Sequence, residues 1–115
     1  MSWNQSEIIG ARWQILETAK RVLSGKASAI EGARIIAGCR FKAKLEDDAD
    51  ILPFVGIDSE TDALPLGHDR IHWQAQARAD LRPKIDEAQA WARDLATSPC
   101  QNLIAREAAL LRWPD

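Results

Sequence analysis

The sequence predicts an all-α fold, a bundle of four to five helices with a long irregular acidic loop between helices 2 and 3. Three observations predict it. Apolar residues recur every three or four positions over most of the chain, and capping signatures mark several segment ends. The chain has 115 residues, 46% of them apolar, which is enough for one hydrophobic core and argues against disorder. We therefore expect residues 1–115 to form a single helical domain.

The first helix is predicted to begin at Ser6, a common N-cap residue, with Glu7 in the first turn, where the helix dipole favours an acid. It should stop at Gly25, because glycine adopts the left-handed conformation after a helix without strain. Its apolar stripe consists of Ile8, Ile9, Ile15, Leu16, Ala19, Val22 and Leu23. A short connection makes it an antiparallel hairpin with the second helix.

The second helix is predicted to start with a capping box, in which Ser28 is the cap and Glu31 lies three residues later. Gly32 and Gly38 each weaken the helix by about 1 kcal/mol relative to alanine, so we expect close approach of another helix to compensate. The expected buried face consists of Ile30, Ala33, Ala37, Phe41 and Leu45, widened by Ile35 and Ile36.

Residues 46–69 show no sustained helical period. The apolar run Ile51–Ile57 is interrupted by Pro53 and Gly56, so we expect a loop that packs over the helices. Helical periodicity returns at residues 70–79. Because proline is tolerated in a first turn and disruptive inside a helix, we expect Pro83 and Pro99 to open separate helices, the last one ending before Pro114.

The negative charge is concentrated in the predicted loop. Residues 46–69 contain eight acids and no Lys or Arg, whereas residues 1–45 carry a net charge of +5 and residues 70–115 a net charge of +1. The acids could form surface ion pairs, or they could meet a basic partner, and the sequence leaves both interpretations open. The bases available for such ion pairs are Arg34, Arg40, Lys42, Lys44 and Arg70.

Patterns for metal binding and catalysis are weak. His68 and His72 are four residues apart with Asp69 between them, which would suit a transition metal if a third ligand joined them. The alternating acids from Asp58 to Asp62 echo a calcium loop, but Ala63 stands where that loop needs glycine. The sequence contains no nucleophile elbow and no phosphate-binding glycine loop, so it predicts no catalytic residue and no cofactor.

Composition and length restrict the location of the chain. The net charge of −2 disfavours a nucleic-acid binder, and no apolar stretch is long enough to span a membrane. No signal peptide is recognisable, and Cys39 and Cys100 are expected to be buried thiols in a reducing cytoplasm. The five tryptophans are expected to be core residues, with Trp13 and Trp91 on helical apolar faces.

One segment carries a resemblance. The segment Phe-Val-Gly-Ile-Asp-Ser-Glu-Thr-Asp-Ala-Leu-Pro at residues 54–65, followed by Arg70 and Trp73, resembles a signature of small uncharacterised bacterial helical proteins. It covers about a fifth of the chain, and no assigned chemistry comes with it. In size, acidity and lack of a catalytic motif, the chain is also similar to the immunity proteins of bacterial toxin systems.

These features lead to one main functional hypothesis and two alternatives. The main one is a cytoplasmic module that binds a protein partner, such as a toxin, through Asp58, Glu60, Asp62 and Asp69. The first alternative is a metal-binding protein or metal-dependent enzyme that uses the segment from His68 to His72. The second alternative is a homodimer that buries spare apolar surface, for which the candidates are Ile35, Ile36 and Trp113.

Overall fold

The computed structural model describes residues 5–64 and 75–111, with side chains described in the last range from residue 81 onward. It consists of four helices, and the described ranges contain no strand. The predicted all-α fold is therefore confirmed. The helices are α1 (Gln5–Ser24), α2 (Ala29–Cys39), α3 (Leu52–Thr61) and α4 (Ala75–Leu111).

The turn between α1 and α2 follows the local sequence. Gly25 has φ +82°, and its N–H donates to the carbonyl of Val22 at 3.2 Å, while the N–H of Lys26 donates to Arg21 at 2.8 Å. These two bonds satisfy carbonyls at the end of α1 and form a Schellman motif. The other end of α1 differs from the prediction, because the helix already includes Gln5 and Ser6 therefore lies inside its first turn.

The start of α2 confirms Ser28 as the N-cap, with one of the two backbone bonds of the predicted capping box. The backbone N–H of Glu31 donates to Oγ of Ser28 at 3.1 Å, and that hydroxyl donates to the Glu31 carboxylate at 3.2 Å. Gly32 lies directly against Val22 of α1, so the expected close helix approach is present there. It is absent at Gly38, where an added Cβ would meet open space.

The predicted buried face of α2 was too long. The helix ends at Cys39, and Phe41 is 59% exposed, with the guanidinium of Arg40 lying 4.4 Å from its ring centre. A stretch of turns follows, in which Ala43 and Leu45 are buried. Phe41 is exposed because the helical register that would have turned it inward stops two residues earlier.

The predicted long loop contains a helix. Pro53 lies in the first turn of α3, where its fixed φ favours helix initiation and its missing N–H costs nothing. Phe54, Ile57 and Thr61 are buried at spacings of three and four residues, which is a helical period. The buried residues of the apolar run around Gly56 therefore form the inner side of a short helix, and not a loop that packs over the other helices.

The predicted division at Pro83 and Pro99 is also wrong, because both prolines lie inside the continuous 37-residue helix α4. An interior proline removes one backbone hydrogen bond and costs about 3 kcal/mol. The buried positions of α4 keep helical spacing through Pro99, so packing on the rest of the bundle offsets that cost. These positions are Ile85, Ala92, Ala96, Cys100, Leu103 and Glu107.

Helices α1 and α4 run antiparallel. Arg93 of α4 donates to the carbonyls of Val22 and Leu23 at the end of α1, at 2.8 and 3.2 Å. Arg12, near the start of α1, contacts Glu107 near the end of α4. The last turns of α4 therefore lie beside the first turns of α1.

The core lies between α1, α2 and α3 on one side and the middle of α4 on the other. Its largest fully buried apolar side chains are Phe54, Ile15, Leu16, Ile30, Ile36, Ile51, Ile57, Leu103 and Val22. Trp13 and Trp91 were expected in the core, but each is 40% exposed and neither belongs to the core cluster. Trp3, Trp73 and Trp113 lie outside the described residues. No described helix has the length and apolarity needed to cross a membrane.

Candidate functional site

Asp58 and Glu60 lie on helix α3 and Asp62 is its C-cap residue, so three of the four acids predicted to bind a partner lie at this helix end. Asp58 and Asp62 are one turn apart and share a side of α3, whereas Glu60 lies about 160° around the axis from Asp58. Glu60 and Asp62 are exposed, and the Asp58 carboxylate is 38% exposed. The acids therefore do not form the single face that their alternation in an extended segment would have produced. Asp69, the fourth acid, lies outside the described residues.

Arg34 of α2 holds the end of α3 that carries these acids. Its Nη2 donates to the carbonyl of Thr61 at 2.6 Å and to that of Leu64 at 3.4 Å. Its Nε lies 3.8 Å from Oδ1 of Asp58, an ion pair that is too long to be a hydrogen bond. The guanidinium thus places a positive charge at the carboxyl end of the helix, where the helix dipole favours it.

Two acids of the linker between α2 and α3, Asp48 and Asp50, are neutralised within the molecule. Nη1 of Arg106 lies 2.8 Å from Oδ1 of Asp48 and 3.1 Å from Oδ2 of Asp50. Asn102 donates to the Asp50 carboxylate at 3.1 Å. Burial alone would raise the pKa of Asp48, but the hydrogen bond and charge of Arg106 outweigh it, so the pKa lies below its ordinary value. These two acids are tied to α4 and are not free to face a partner.

A buried ion pair joins the same cluster to α1. Nε and Nη2 of Arg12 each donate to one carboxylate oxygen of Glu107 at 2.7 Å, and Nε of Arg106 donates to Oε2 at 3.2 Å. The Glu107 side chain is fully buried. Its burial favours the neutral acid, but the two arginines outweigh that effect and the pKa of Glu107 is lowered. The network ties α1, α4 and the linker before α3 into one unit.

Sequence reasoning missed most of this network. Among the described bases proposed to neutralise the acidic stretch, Arg34 reaches an acid of that stretch, and Arg106 was not considered. Arg12 and Glu107 are separated by 95 positions, so no local pattern relates them. The one signal in the sequence was the position of Glu107, which continues the buried stripe of α4. A carboxylate buried there needs a cation beside it.

The predicted metal ligands are not described. His68, Asp69 and His72 all lie in the range 65–74, which is outside the described residues. Within the residues that are described, no group of three His, Cys, Asp or Glu side chains is arranged to hold a metal ion. The part of the calcium-like run from Asp58 to Thr61 is helical, so it does not form the loop on which such a site is built.

Both cysteines are free thiols. Cys100 is buried, as expected, whereas Cys39 is only half-buried. Burial raises the pKa of Cys100 to about 11 and also raises the pKa of Cys39. Because the thiolate is the reactive form, these shifts disfavour nucleophilic chemistry at either position.

The surface of the described residues thus offers an acidic helix end held by one arginine. The likeness to immunity proteins remains an expectation from the sequence. Comparison with protein-family models, with curated proteins and with solved structures found no match for this chain.

Proposed function

We propose that this chain is a small protein-binding module that acts in the cytoplasm and neutralises a basic protein partner, in the manner of an immunity protein or antitoxin. The proposed contact surface is the acidic end of α3, where Asp58 and Asp62 share one side and Glu60 lies at the same end on the opposite side. On the sequence alone, we include Asp69 in it. One observation carries the proposal: two partly or fully exposed acids lie one turn apart at the carboxyl end of a helix.

That placement costs stability in the free protein. Like charges four residues apart on a helix destabilise it by about 0.2–0.5 kcal/mol. An acid near the carboxyl end of a helix meets the negative end of the dipole, at a further cost of about 0.3–1 kcal/mol. Arg34 offsets part of this cost at Asp58, while no described cation lies within 4 Å of Asp62 or Glu60. Such a cost is typical of residues kept for binding.

The support beneath the surface favours a rigid contact. Arg34 hydrogen-bonds the last carbonyls of α3, and Phe54 and Ile57 anchor the helix in the core. A surface that is ordered before binding loses little entropy on association. Exposed acids on a rigid helix can also attract a basic partner from a distance and raise the association rate.

The chemistry of the partner follows from the charge. Carboxylates at fixed positions pair with lysine and arginine side chains, and in a nuclease those bases normally contact phosphates. If the partner is a nuclease, Asp58 and Asp62 would occupy the place of the phosphates and block substrate entry. This mechanism needs no catalytic residue on the present chain.

The test compares the full chain with the variant Asp58→Asn/Glu60→Gln/Asp62→Asn. The wild type is immobilised and exposed to an extract of the native host, and the basic proteins that it retains are identified and then tested against both chains. The affinity of the retained protein is then measured by calorimetry at two salt concentrations. We expect the variant to lose at least about 1.4 kcal/mol, a tenfold weaker affinity, together with most of the salt dependence.

The matched control is Asp47→Asn, which removes an exposed acid of the linker that is not on α3. It should leave affinity and salt dependence unchanged. The free variant Asp62→Asn should also be slightly more stable than the wild type, because a repulsion is removed. A partner that binds the triple variant and the wild type equally tightly would refute the proposal.

A further inference from the structure

A groove lies on the surface of the α1–α2 hairpin, beside the turn that joins the two helices. Its volume is about 370 Å³, which is within the size range of small-molecule sites. Both helices and the turn contribute side chains to it, and we call it the hairpin groove. The residues that matter for its chemistry are Thr18, Arg21, Lys26, Glu31, Arg34 and Ile35.

The hairpin groove is positively charged. Arg21, Lys26 and Arg34 line it together with a single acid, Glu31, so these residues carry a formal net charge of +2. Within the described residues, neither Arg21 nor Lys26 forms an ion pair. The Glu31 carboxylate accepts a hydrogen bond from the hydroxyl of Ser28 at 3.2 Å. Cations gathered around one cavity repel one another, and an anion bound between them relieves that repulsion.

Thr18 adds a buried hydroxyl to the hairpin groove. The residue is 6% exposed, and its methyl carbon lies 3.6 Å from where a Cβ on Gly32 of α2 would stand. Thr61 and Thr97 each donate to the carbonyl four residues earlier, at 2.6 and 2.7 Å, whereas the Thr18 hydroxyl makes no such bond within the described residues. Because buried polar groups are almost always hydrogen-bonded, this hydroxyl is available to a ligand in the groove.

Arg34 also has donors that the described residues leave unused. Its Nη2 donates to the carbonyls of Thr61 and Leu64, which fixes the guanidinium in place. Its Nε is buried without a hydrogen bond, since Oδ1 of Asp58 lies 3.8 Å away, and Nη1 makes no hydrogen bond within the part of the chain that is described. A guanidinium that is held before binding loses little freedom when an anion arrives.

These donors suit a phosphate group. A guanidinium matches two phosphate oxygens at a time, and lysine and hydroxyl groups complete many phosphate sites. The groove is larger than a free phosphate ion, and Ile35, which is 41% exposed, adds an apolar surface beside the cations. Glu31 would repel a second negative group, so the rest of the ligand should be uncharged.

We propose that the hairpin groove binds a small phosphomonoester. Its phosphate would contact Arg21, Lys26, Arg34 and the hydroxyl of Thr18, and its apolar part would pack on Ile35. The inference does not rest on the binding role proposed for α3.

The experiment titrates the isotope-labelled full chain with phenyl phosphate and follows the amide chemical shifts by NMR. It is done at constant ionic strength and about pH 8, where a phosphomonoester carries two negative charges. We expect saturable shifts at residues 18–35, with a dissociation constant of about 1 mM or lower. Inorganic phosphate should bind at least about tenfold more weakly, because it leaves Ile35 uncovered. Phenol, which has the ring without the phosphate, should not saturate.

Two variants remove contacts to the phosphate. Arg21→Gln/Lys26→Gln takes away two exposed cations and should weaken the binding of phenyl phosphate by at least about tenfold. Thr18→Val keeps the shape of the buried side chain without its hydroxyl and should weaken binding by at least about fivefold. Circular dichroism and thermal unfolding check that both variants keep the fold.

The matched control is Lys20→Gln, which removes an exposed cation next to Arg21 in the sequence that does not line the hairpin groove. It should bind phenyl phosphate like the wild type. The proposal is overturned if phenyl phosphate does not saturate, if inorganic phosphate binds as tightly, or if the shifts centre on the basic residues of 40–44. Equal weakening by Lys20→Gln and the double variant would show an effect of net charge alone and would overturn it as well.

Discussion

Replacing Arg12 with methionine tests the buried ion pair of the bundle. The substitution removes both 2.7 Å hydrogen bonds to Glu107 and leaves its buried carboxylate with the single 3.2 Å contact to Arg106. Breaking a buried ion pair costs about 3–5 kcal/mol, because the remaining charge loses its compensation. Arg12 is 24% exposed and Arg106 stays in place, so we expect the lower end, about 3 kcal/mol.

That loss is large against a total stability of about 5–15 kcal/mol for a domain of this kind. It corresponds to a fall in Tm of about 12 °C, at about 4 °C per kcal/mol for a chain of this length. The measurement is urea unfolding followed by circular dichroism, supported by a thermal scan. An unchanged m value would show that stability, and not compactness, has changed.

The control is Lys20→Met, whose partner Glu17 is 3.6 Å away and 59% exposed. An exposed pair of this kind should contribute less than about 0.5 kcal/mol. The double variant Arg12→Met/Glu107→Met replaces the pair with apolar side chains and should recover most of the loss. The reasoning is refuted if Arg12→Met loses no more stability than Lys20→Met.

Three further predictions concern stability. In the folded chain, the pKa of Glu107 lies below its ordinary value of 4.5. The ionised carboxylate therefore stabilises the fold fully above pH 4.5. This stabilisation is lost as the pH falls through the lowered pKa of the folded state. The variant Glu107→Gln should therefore lose less Tm than the wild type between about pH 6 and pH 3. Gly32→Ala should lower the free energy of unfolding by about 1–3 kcal/mol, because the new methyl group meets Val22. Gly38→Ala faces open space and should raise the free energy of unfolding by about 0.5–1 kcal/mol. Urea midpoints that shift in the same direction in both variants would contradict this. Ser28→Ala should cost about 1 kcal/mol through loss of the N-cap, and an unchanged midpoint would show that the cap contributes nothing.

Only the residue types of the candidate site could be predicted from the sequence, and not their contacts. The acids of residues 46–69 are visible in the sequence, but which of them are neutralised depends on residues far along the chain. Asp48 and Asp50 meet Arg106, more than 50 positions away. Because that contact exists only after α4 packs beside the linker, no sequence pattern could separate these acids from Asp62.

The exposure of Ile9 and Leu110 could not be predicted either. Ile9 belongs to the apolar stripe predicted for the first helix, so it was expected to contribute to helix packing. Both side chains are exposed because α1 and α4 pair at their ends, where no third described helix covers them. Membership of a stripe shows that a residue suits burial, and the tertiary arrangement decides whether a neighbour is present.

The sequence by itself determined the features that depend on neighbours within one turn. These are the all-α class, the N-cap formed by Ser28, and the left-handed stop at Gly25, each stabilised by bonds between residues close in the chain. Tertiary structure decided that α4 continues through Pro83 and Pro99, and it decided how the acidic stretch divides between an ion network and an exposed helix end. The physical reason is that a proline inside a helix costs about 3 kcal/mol locally, whereas the packing of a long apolar stripe can contribute more than that. This packing exists only in the folded molecule, so the local sequence cannot show which effect is larger.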